Sequence, residues 1–336
     1  MSRTLVEDCL QQSDKVVKSN LIDKVLLRQL SPNDAKWDDR RSETDQVREL
    51  YRGTRYDSLA GRISACSGRL EFGFEIQETG ESKLRLKSAR FCRVRHCPVC
   101  QWRRSLMWRA KAFKILPQIV EAYPKHRFIF LTLTVRNCEL GQLRETITGM
   151  NQAWGRLVKR AKWPADGWIR SLEVTRGKDG SAHPHFHCLL MVKASYFSHG
   201  YISQEVWTKL WEESLRINYR PIVHVQAVRP KNKETLDTLQ AILETLKYSV
   251  KPDDLIGESE EPTEENKQWL VELTTQLHKT RAVATGGILK EYLKELEKEP
   301  EDLIHADDDS EPDNSIASVI FDWEQRIKKY AMNDRI

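Results

Sequence analysis

The chain has 336 residues, 54 Lys and Arg against 49 Asp and Glu, and a formal net charge of +5, with 40% of residues hydrophobic and 31% charged. This is the composition of a globular protein long enough for about two domains, and no run of about 18 apolar residues could cross a membrane. The first thirty residues scatter charges among apolar positions with no continuous apolar stretch, which excludes a secretory signal and implies a cytoplasmic protein.

Residues 1–60 read as a polar, mostly helical segment of unassigned role. From Gly61 to about Leu86 apolar and polar residues alternate (Leu70, Phe72, Phe74, Ile76) and Gly80 interrupts them, the pattern of a β-hairpin. A helix is predicted from Pro98 to about Leu116, stopped by Pro117. The run RFIFLTLTV, residues 127–135, is too apolar for an edge and predicts a central strand. A helix over about Leu140–Lys162 follows, then strands Trp168–Thr175 and His183–Val192, joined as a hairpin by the Gly177–Gly180 turn. Another helix (Ser203–Ile217), a fourth strand (Pro221–Val228) and a long helix over 232–251 complete this part, which Pro252 ends. Beyond it lie an acidic linker (257–265), helical stretches at 266–278 and 288–296 around Thr285-Gly286-Gly287, and an acidic run over 299–313.

The hairpin requires antiparallel neighbours, so the fold class is α+β: an antiparallel sheet packed by helices, with a small inserted or appended zinc-stapled module. The segments expected are 1–60 (helical), 61–116 (basic, zinc-binding), 117–252 (catalytic core) and 253–336 (acidic C-terminal extension). Charge supports this division. From residue 252 onward there are 10 Lys and Arg against 22 Asp and Glu, a net of −12, whereas the preceding 251 residues carry 44 against 27, a net of +17. A basic body suits a polyanionic partner.

Three groups of residues carry chemistry. In His183-Pro184-His185-Phe186-His187, strand alternation puts His185 and His187 on one face about 6.5–7 Å apart, close enough to share an ion. The hairpin can bring Glu173 beside them, and two imidazoles with one carboxylate leave open positions on a divalent ion. His183 is a third imidazole, which leaves the third ligand open between it and Glu173. On the predicted 232–251 helix, Gln240, Glu244 and Tyr248 share a face offset from the leucines at 236, 239, 243 and 246, and Lys247 and Lys251 flank the tyrosine. A nearby cation or metal-bound phosphate would ease ionisation of that phenol, and Glu244 could serve as a general base.

The third group is a knot of cysteines. Cys97-x-x-Cys100 is a zinc half-site, Cys92 can add a third thiolate and Cys66 a fourth, with His96 able to replace one of them. In a reducing compartment metal binding is a better reading of such clustering than disulfides. Around it Arg90, Arg93, Arg95, Arg103, Arg104 and Arg109 interleave with Phe91, Trp102 and Trp108, and residues 83–111 hold ten Lys or Arg and no acid. That mixture suits phosphate contacts and base stacking.

In this order the motifs resemble the rolling-circle plasmid replication initiators of the HUH endonuclease superfamily. Phe130-Leu131-Thr132-Leu133-Thr134 is similar to the family's first motif, His183–His187 to its metal motif, and Glu244–Lys251 to its tyrosine motif. The single tyrosine with a glutamate four residues before it, and the cysteine-rich stretch from Cys92 to Arg104, match the single-tyrosine branch. The likeness covers about residues 60–300. The tyrosine follows the metal motif by 61 residues, whereas conjugative relaxases place it before.

The resemblance implies catalysis by Tyr248, Glu244 and Lys251, a Mg²⁺ or Mn²⁺ ion on His185, His187 and Glu173, and structural Zn²⁺ on Cys66, Cys92, Cys97 and Cys100. It implies origin DNA, single-stranded or in a hairpin, as the substrate, with DNA contacts from the arginines above, Trp102 and Lys247. A host helicase and polymerase would be partners, and no membrane is involved. The competing readings are a zinc-stapled DNA-binding regulator without catalysis, an HUH-type transposase and a metallohydrolase of small substrates.

Overall fold

The described residues of the computed structural model are 24–76, 82–228, 251–256, 263–298, 303–304 and 317–333. In chain order the elements begin with helices α1 (Leu27–Leu30), α2 (Lys36–Tyr51) and α3 (Asp57–Ser64), then strands β1 (Arg69–Ile76) and β2 (Ser82–Ala89). Helix α4 (Pro98–Ala122), β3 (His126–Thr134), α5 (Leu143–Leu157), β4 (Ala165–Arg176) and β5 (Ala182–Lys193) follow. After them come α6 (Gln204–Leu215), β6 (Val223–Ala227), α7 (Pro252–Ile256), α8 (Glu264–Gln276), β7 (Val283–Gly287), α9 (Ile288–Lys298), β8 (Ser318–Glu324) and β9 (Lys329–Met332). The chain forms two units: Met1–Ser42 with Ser64–Phe91 and Pro312–Ile336, and Glu43–Ile63 with Cys92–Glu311.

In the first unit the alternation along β1 buries Leu70 and Phe72 on one face. Four antiparallel strands run in the order β2-β1-β8-β9. Phe72 meets Phe321 edge to face, and the buried Tyr330 donates its hydroxyl to the Ser67 carbonyl at 2.6 Å.

The second unit holds a five-stranded antiparallel sheet, β6-β3-β5-β4-β7, with the predicted central strand β3 between β5 and β6. One face is covered by α5 and α6. Phe186 of β5 packs there against Trp154 and Trp211, and Trp211 donates its indole N–H to the Thr134 carbonyl at 2.8 Å. On the other face Phe128, Ile169, Leu189 and Met191 pack against Ala112, Ile115, Leu116 and Ile119 of α4 and Leu289 and Leu293 of α9. These helices cover one end of the face, and the histidine motif lies toward the other end of the same strands.

Four features depart from the sequence-based expectations. Pro117 does not end α4, which runs on to Ala122. An interior proline costs about 3 kcal/mol, but Leu116 and Ile119 on either side of it are buried in the sheet cluster, and their burial offsets that cost. Second, the chain is not divided at residue 253. Strand β7 pairs with β4 and completes the sheet, and β8 pairs with β1, so the acidic segment supplies strands to both units. The charge break marks surface composition, whereas strand pairing is made by the backbone.

Third, Thr285-Gly286-Gly287, expected only to interrupt two helices, lies in β7. A Cβ on Gly286 would fall 2.2 Å from the Trp168 ring, and one on Gly287, whose φ is +57°, would run into the Asp166 carbonyl. Only glycine permits so close an approach. Likewise, 61–116 is not one module, because the units divide between Phe91 and Cys92.

Candidate functional site

Strand β5 places His183, His185 and His187 on one face and sends Phe186 and Cys188 into the opposite layer, where both are fully buried. In register, His185 lies opposite Thr134 and Glu173, and His187 opposite Thr132 and Ser171. Glu173 therefore stands beside both histidines. Its Oε2 is 2.9 Å from His185 Nε2 and 2.6 Å from His187 Nε2, and the two rings are 4.6 Å apart. Thr132 Oγ1 lies 3.4 Å from His187 Nδ1, and Phe130 stacks on the same imidazole. Such contacts on the remote nitrogen fix ring orientation, as they do behind metal-bound histidines.

Glu173 and His185 are each 8% exposed. Burial opposes charge on Glu173, yet hydrogen bonds from His185 and His187 and their positive charge hold its carboxyl well below the usual range. Two imidazole nitrogens and a carboxylate oxygen, all within 4.8 Å of one another, form a donor set that fits a divalent ion with open positions. His183, the other candidate for third ligand, falls outside this set. Its ring lies 5.4 Å from that of His185, whose Nδ1 faces the His183 carbonyl.

Lys251 and Asp254 also reach the site. Lys251 Nζ is 3.7 Å from Glu173 Oε1. Asp254 accepts from the Arg176 backbone N–H at 3.3 Å through Oδ1, while its Oδ2 is buried without a partner among the described residues. Burial raises the Asp254 carboxyl, and the charge of Glu173 raises it further against the opposing effects of the Arg176 N–H and Lys251. Sequence reasoning missed Asp254. Its only signal was an acidic pair directly after a helix-breaking proline.

In the cysteine segment, Cys97 caps α4 and Cys100 lies in its first turn. The thiols of Cys92, Cys97 and Cys100 lie within 4.8 Å of one another, with Cys92 and Cys100 sulfurs 3.6 Å apart. Tetrahedral zinc with bonds of about 2.3 Å sets neighbouring sulfurs about 3.8 Å apart, so the spacing fits. The Arg93 N–H donates to Cys100 Sγ at 3.3 Å, a contact suited to a thiolate. Cys66, also fully buried, belongs to the first unit. His96 is buried next to Cys97 and is not among the converging ligands.

The basic residues around this knot divide. Arg90, Arg93 and Arg109 are exposed, and Trp102 and Arg104 are half-buried. Arg95 anchors the turn after α8 by donating to the Leu277 and Thr280 carbonyls at 2.9 and 2.8 Å. Arg103, expected to contact DNA, is instead 1% exposed and donates to the carbonyls of Leu303 and Ile304 at 2.8 and 2.6 Å. A guanidinium held inside the protein in this way cannot reach a phosphate.

A family model described as "Replication protein" matches residues 83–331. The chain belongs to the replication-protein (Rep) family. Relatives of this Rep family member include "Protein rep" of Streptococcus pneumoniae, 34% identical over 324 residues that cover 93% of this chain and 97% of the relative. "Protein rep" of Lentilactobacillus hilgardii is 34% identical over 318 residues, covering 91% and 98%. A "Replication protein" of Staphylococcus aureus is 36% identical over 230 residues, covering 66% and 97%. No solved structure matches the chain. Among the described residues of this Rep family member, no helix is long and apolar enough to cross a membrane. Its Glu244, Lys247 and Tyr248 lie outside the described residues.

Proposed function

We propose that this Rep family member initiates plasmid replication by cutting one strand at the origin, with Tyr248 as the nucleophile. The observation that carries the reading is the convergence of His185, His187 and Glu173 on one point, with Lys251, three residues after Tyr248 in sequence, beside them. A divalent ion held by His185, His187 and Glu173, Mg²⁺ or Mn²⁺, would bind the scissile phosphate and offset the charge that develops on it.

The remaining chemistry belongs to the chain. The Tyr248 phenol gives up its proton as its oxygen bonds to phosphorus, and the bond from phosphorus to the 3′ oxygen breaks. That oxygen takes a proton, leaving a 5′-phosphotyrosine and a 3′-hydroxyl that primes the host polymerase. The ammonium groups of Lys247 and Lys251 favour the phenolate. In the second, terminating cleavage Glu244 takes a proton from water as the water oxygen bonds to phosphorus, the bond from phosphorus to the 3′ oxygen breaks, and that oxygen takes a proton.

The strand has to be single at the site, so an extruded hairpin opened with a host helicase is the substrate form. Arg90, Arg93, Arg104, Arg109 and Trp102 supply phosphate and base contacts, whereas Arg95 is held inside by the Leu277 and Thr280 carbonyls, and a structural zinc on Cys92, Cys97 and Cys100 fixes the start of α4. The test uses supercoiled plasmid carrying the cognate origin and Mn²⁺. Wild-type protein should yield open circles, and Tyr248→Phe should bind the origin without nicking it. Equal nicking by both proteins would overturn the assignment of Tyr248, and binding without nicking by both would support a regulator.

A further inference from the structure

Arginines beside the central sheet end on acceptors of the protein itself. Arg170 donates to Asn151, Arg176 to Asn266 and Glu265, and Arg144 to the Thr275 and His278 carbonyls. Arg136 differs from them. It is exposed, and among the described residues its guanidinium has neither a hydrogen-bond acceptor nor a carboxylate partner.

The residue is nevertheless held in place. Its guanidinium carbon lies 4.1 Å from the centre of the ring of Tyr219, a half-buried residue between α6 and β6, and its backbone N–H donates to the Tyr219 hydroxyl at 3.2 Å. A ring face holds a guanidinium through its planar surface and leaves the N–H donors along its edge free. Ordering an arginine side chain costs conformational entropy. A planar fork that is ordered, exposed and without an acceptor is suited to receive an anion in bidentate fashion, and phosphate is such an anion.

Its position indicates which phosphate. Thr134 pairs with His185, and Cys138 forms a bridge with Ala182, so the two pairings bracket Arg136 beside His183 at the histidine end of the sheet. The buried Val135 and the exposed Arg136 continue the alternation of β3, in which Thr132 and Thr134 share the face of His187 and His185. Strand spacings put the Arg136 and His185 Cα atoms about 8 Å apart. Across the site Lys251 is engaged with Glu173, and Arg176 has the partners given above. Arg136 therefore offers a free cationic fork next to the place where a metal-bound phosphate would lie.

We propose that Arg136 grips a phosphate of the substrate strand adjoining the scissile one, with Tyr219 as the positioning residue that holds the guanidinium over its ring. The proposal rests on the strand-cutting reading and adds to it the contact that sets the register of the strand on the metal site.

The experiment uses the full chain in a Tyr248→Phe background, Mn²⁺, and labelled single-stranded DNA of the cognate origin in which each phosphate near the cut is replaced in turn by an uncharged methylphosphonate. Arg136→Met removes an exposed group with no protein acceptor, so it should fold and keep its Tm. It should bind the intact strand about 10-fold more weakly and lower the slope of log K against log salt by about 0.7. At one phosphate beside the cut the methylphosphonate should cost the Arg136 chain the same factor and the Arg136→Met chain nothing further. Tyr219→Leu should lose part of that affinity alone and none in addition to Arg136→Met. Unchanged strand affinity in Arg136→Met, or separate, additive losses at every phosphate, would overturn the proposal.

Titration with inorganic phosphate distinguishes the source of the anion. Arg136-dependent binding of inorganic phosphate with strand affinity unchanged in Arg136→Met would mean a site for a free anion, and would overturn the assignment to the strand. Covalent adduct formation, scored with Tyr248 intact on the same DNA, separates the two readings. Adduct without coupling at Arg136 sinks the phosphate grip alone, whereas absence of adduct sinks the strand-cutting reading.

Discussion

Replacing Arg103 by Met keeps the length of the side chain and removes its guanidinium. The wild-type group donates to two carbonyls, at 2.8 Å to Leu303 and 2.6 Å to Ile304, from a position 1% exposed. Hydrogen bonds from a charged donor contribute about 1.5–3 kcal/mol each. The two together give about 3–6 kcal/mol, and relief from burying a charge brings the expected loss toward the lower end, about 3 kcal/mol. Urea unfolding should show that loss.

Single-stranded DNA affinity measured across a salt series should keep its slope, because no phosphate contact is removed. A residue that neutralised one phosphate would lower the slope of log K against log salt by about 0.7. Stability within about 0.5 kcal/mol of wild type together with a slope reduced by that amount would refute the buried role and restore Arg103 to the DNA surface.

The remaining predictions concern the two metal sites and Asp254. Glu173→Gln should weaken Mn²⁺ binding by at least about tenfold in calorimetry and abolish nicking while leaving low-salt DNA affinity within about twofold; unchanged Mn²⁺ affinity would remove Glu173 from the ligand set. Cys97→Ser should lower zinc content below one ion per chain and lower the Tm, and full zinc content would exclude Cys97 as a ligand. The raised carboxyl of Asp254 means that its stabilising contribution is present below its unfolded pKa, about 3.9, and is lost as pH rises through its folded value. In metal-stripped protein, wild type should therefore lose Tm relative to Asp254→Asn as pH rises from 4 to 7, and a constant difference would contradict the burial argument.

The central sheet and its histidine face could be read from the sequence because a period of two is unambiguous in a long hairpin. Once Glu173 and His185 are placed in antiparallel strands joined by a short turn, their pairing follows. The fate of the arginines was harder to read, since composition counts charge and does not give its direction. The helical spacing did carry a signal: Val99, Cys100, Arg103 and Met107 recur at intervals of three and four and form one buried stripe. Strand β7 was illegible for a different reason. Two of its five residues are glycines, which weaken any strand pattern, and their purpose appears only against Trp168 and Asp166.

The net charge of +5 conceals a basic and an acidic part, yet the boundary between them crosses both sheets instead of separating domains. A fragment ending at residue 252 would therefore lack β7 at the edge of the central sheet and β8 beside β1.

The claim that Tyr248 cuts the strand is tested most directly by the identity of the covalent bond. Wild-type protein is incubated with 5′- or 3′-labelled single-stranded origin DNA and Mn²⁺, denatured, digested and analysed by peptide mass spectrometry. The account predicts an adduct on the peptide containing Tyr248, joined through a 5′-phosphate, with a free 3′-hydroxyl on the released strand. An adduct on another residue, or nicked DNA with no protein attached under conditions that trap the intermediate, would contradict it.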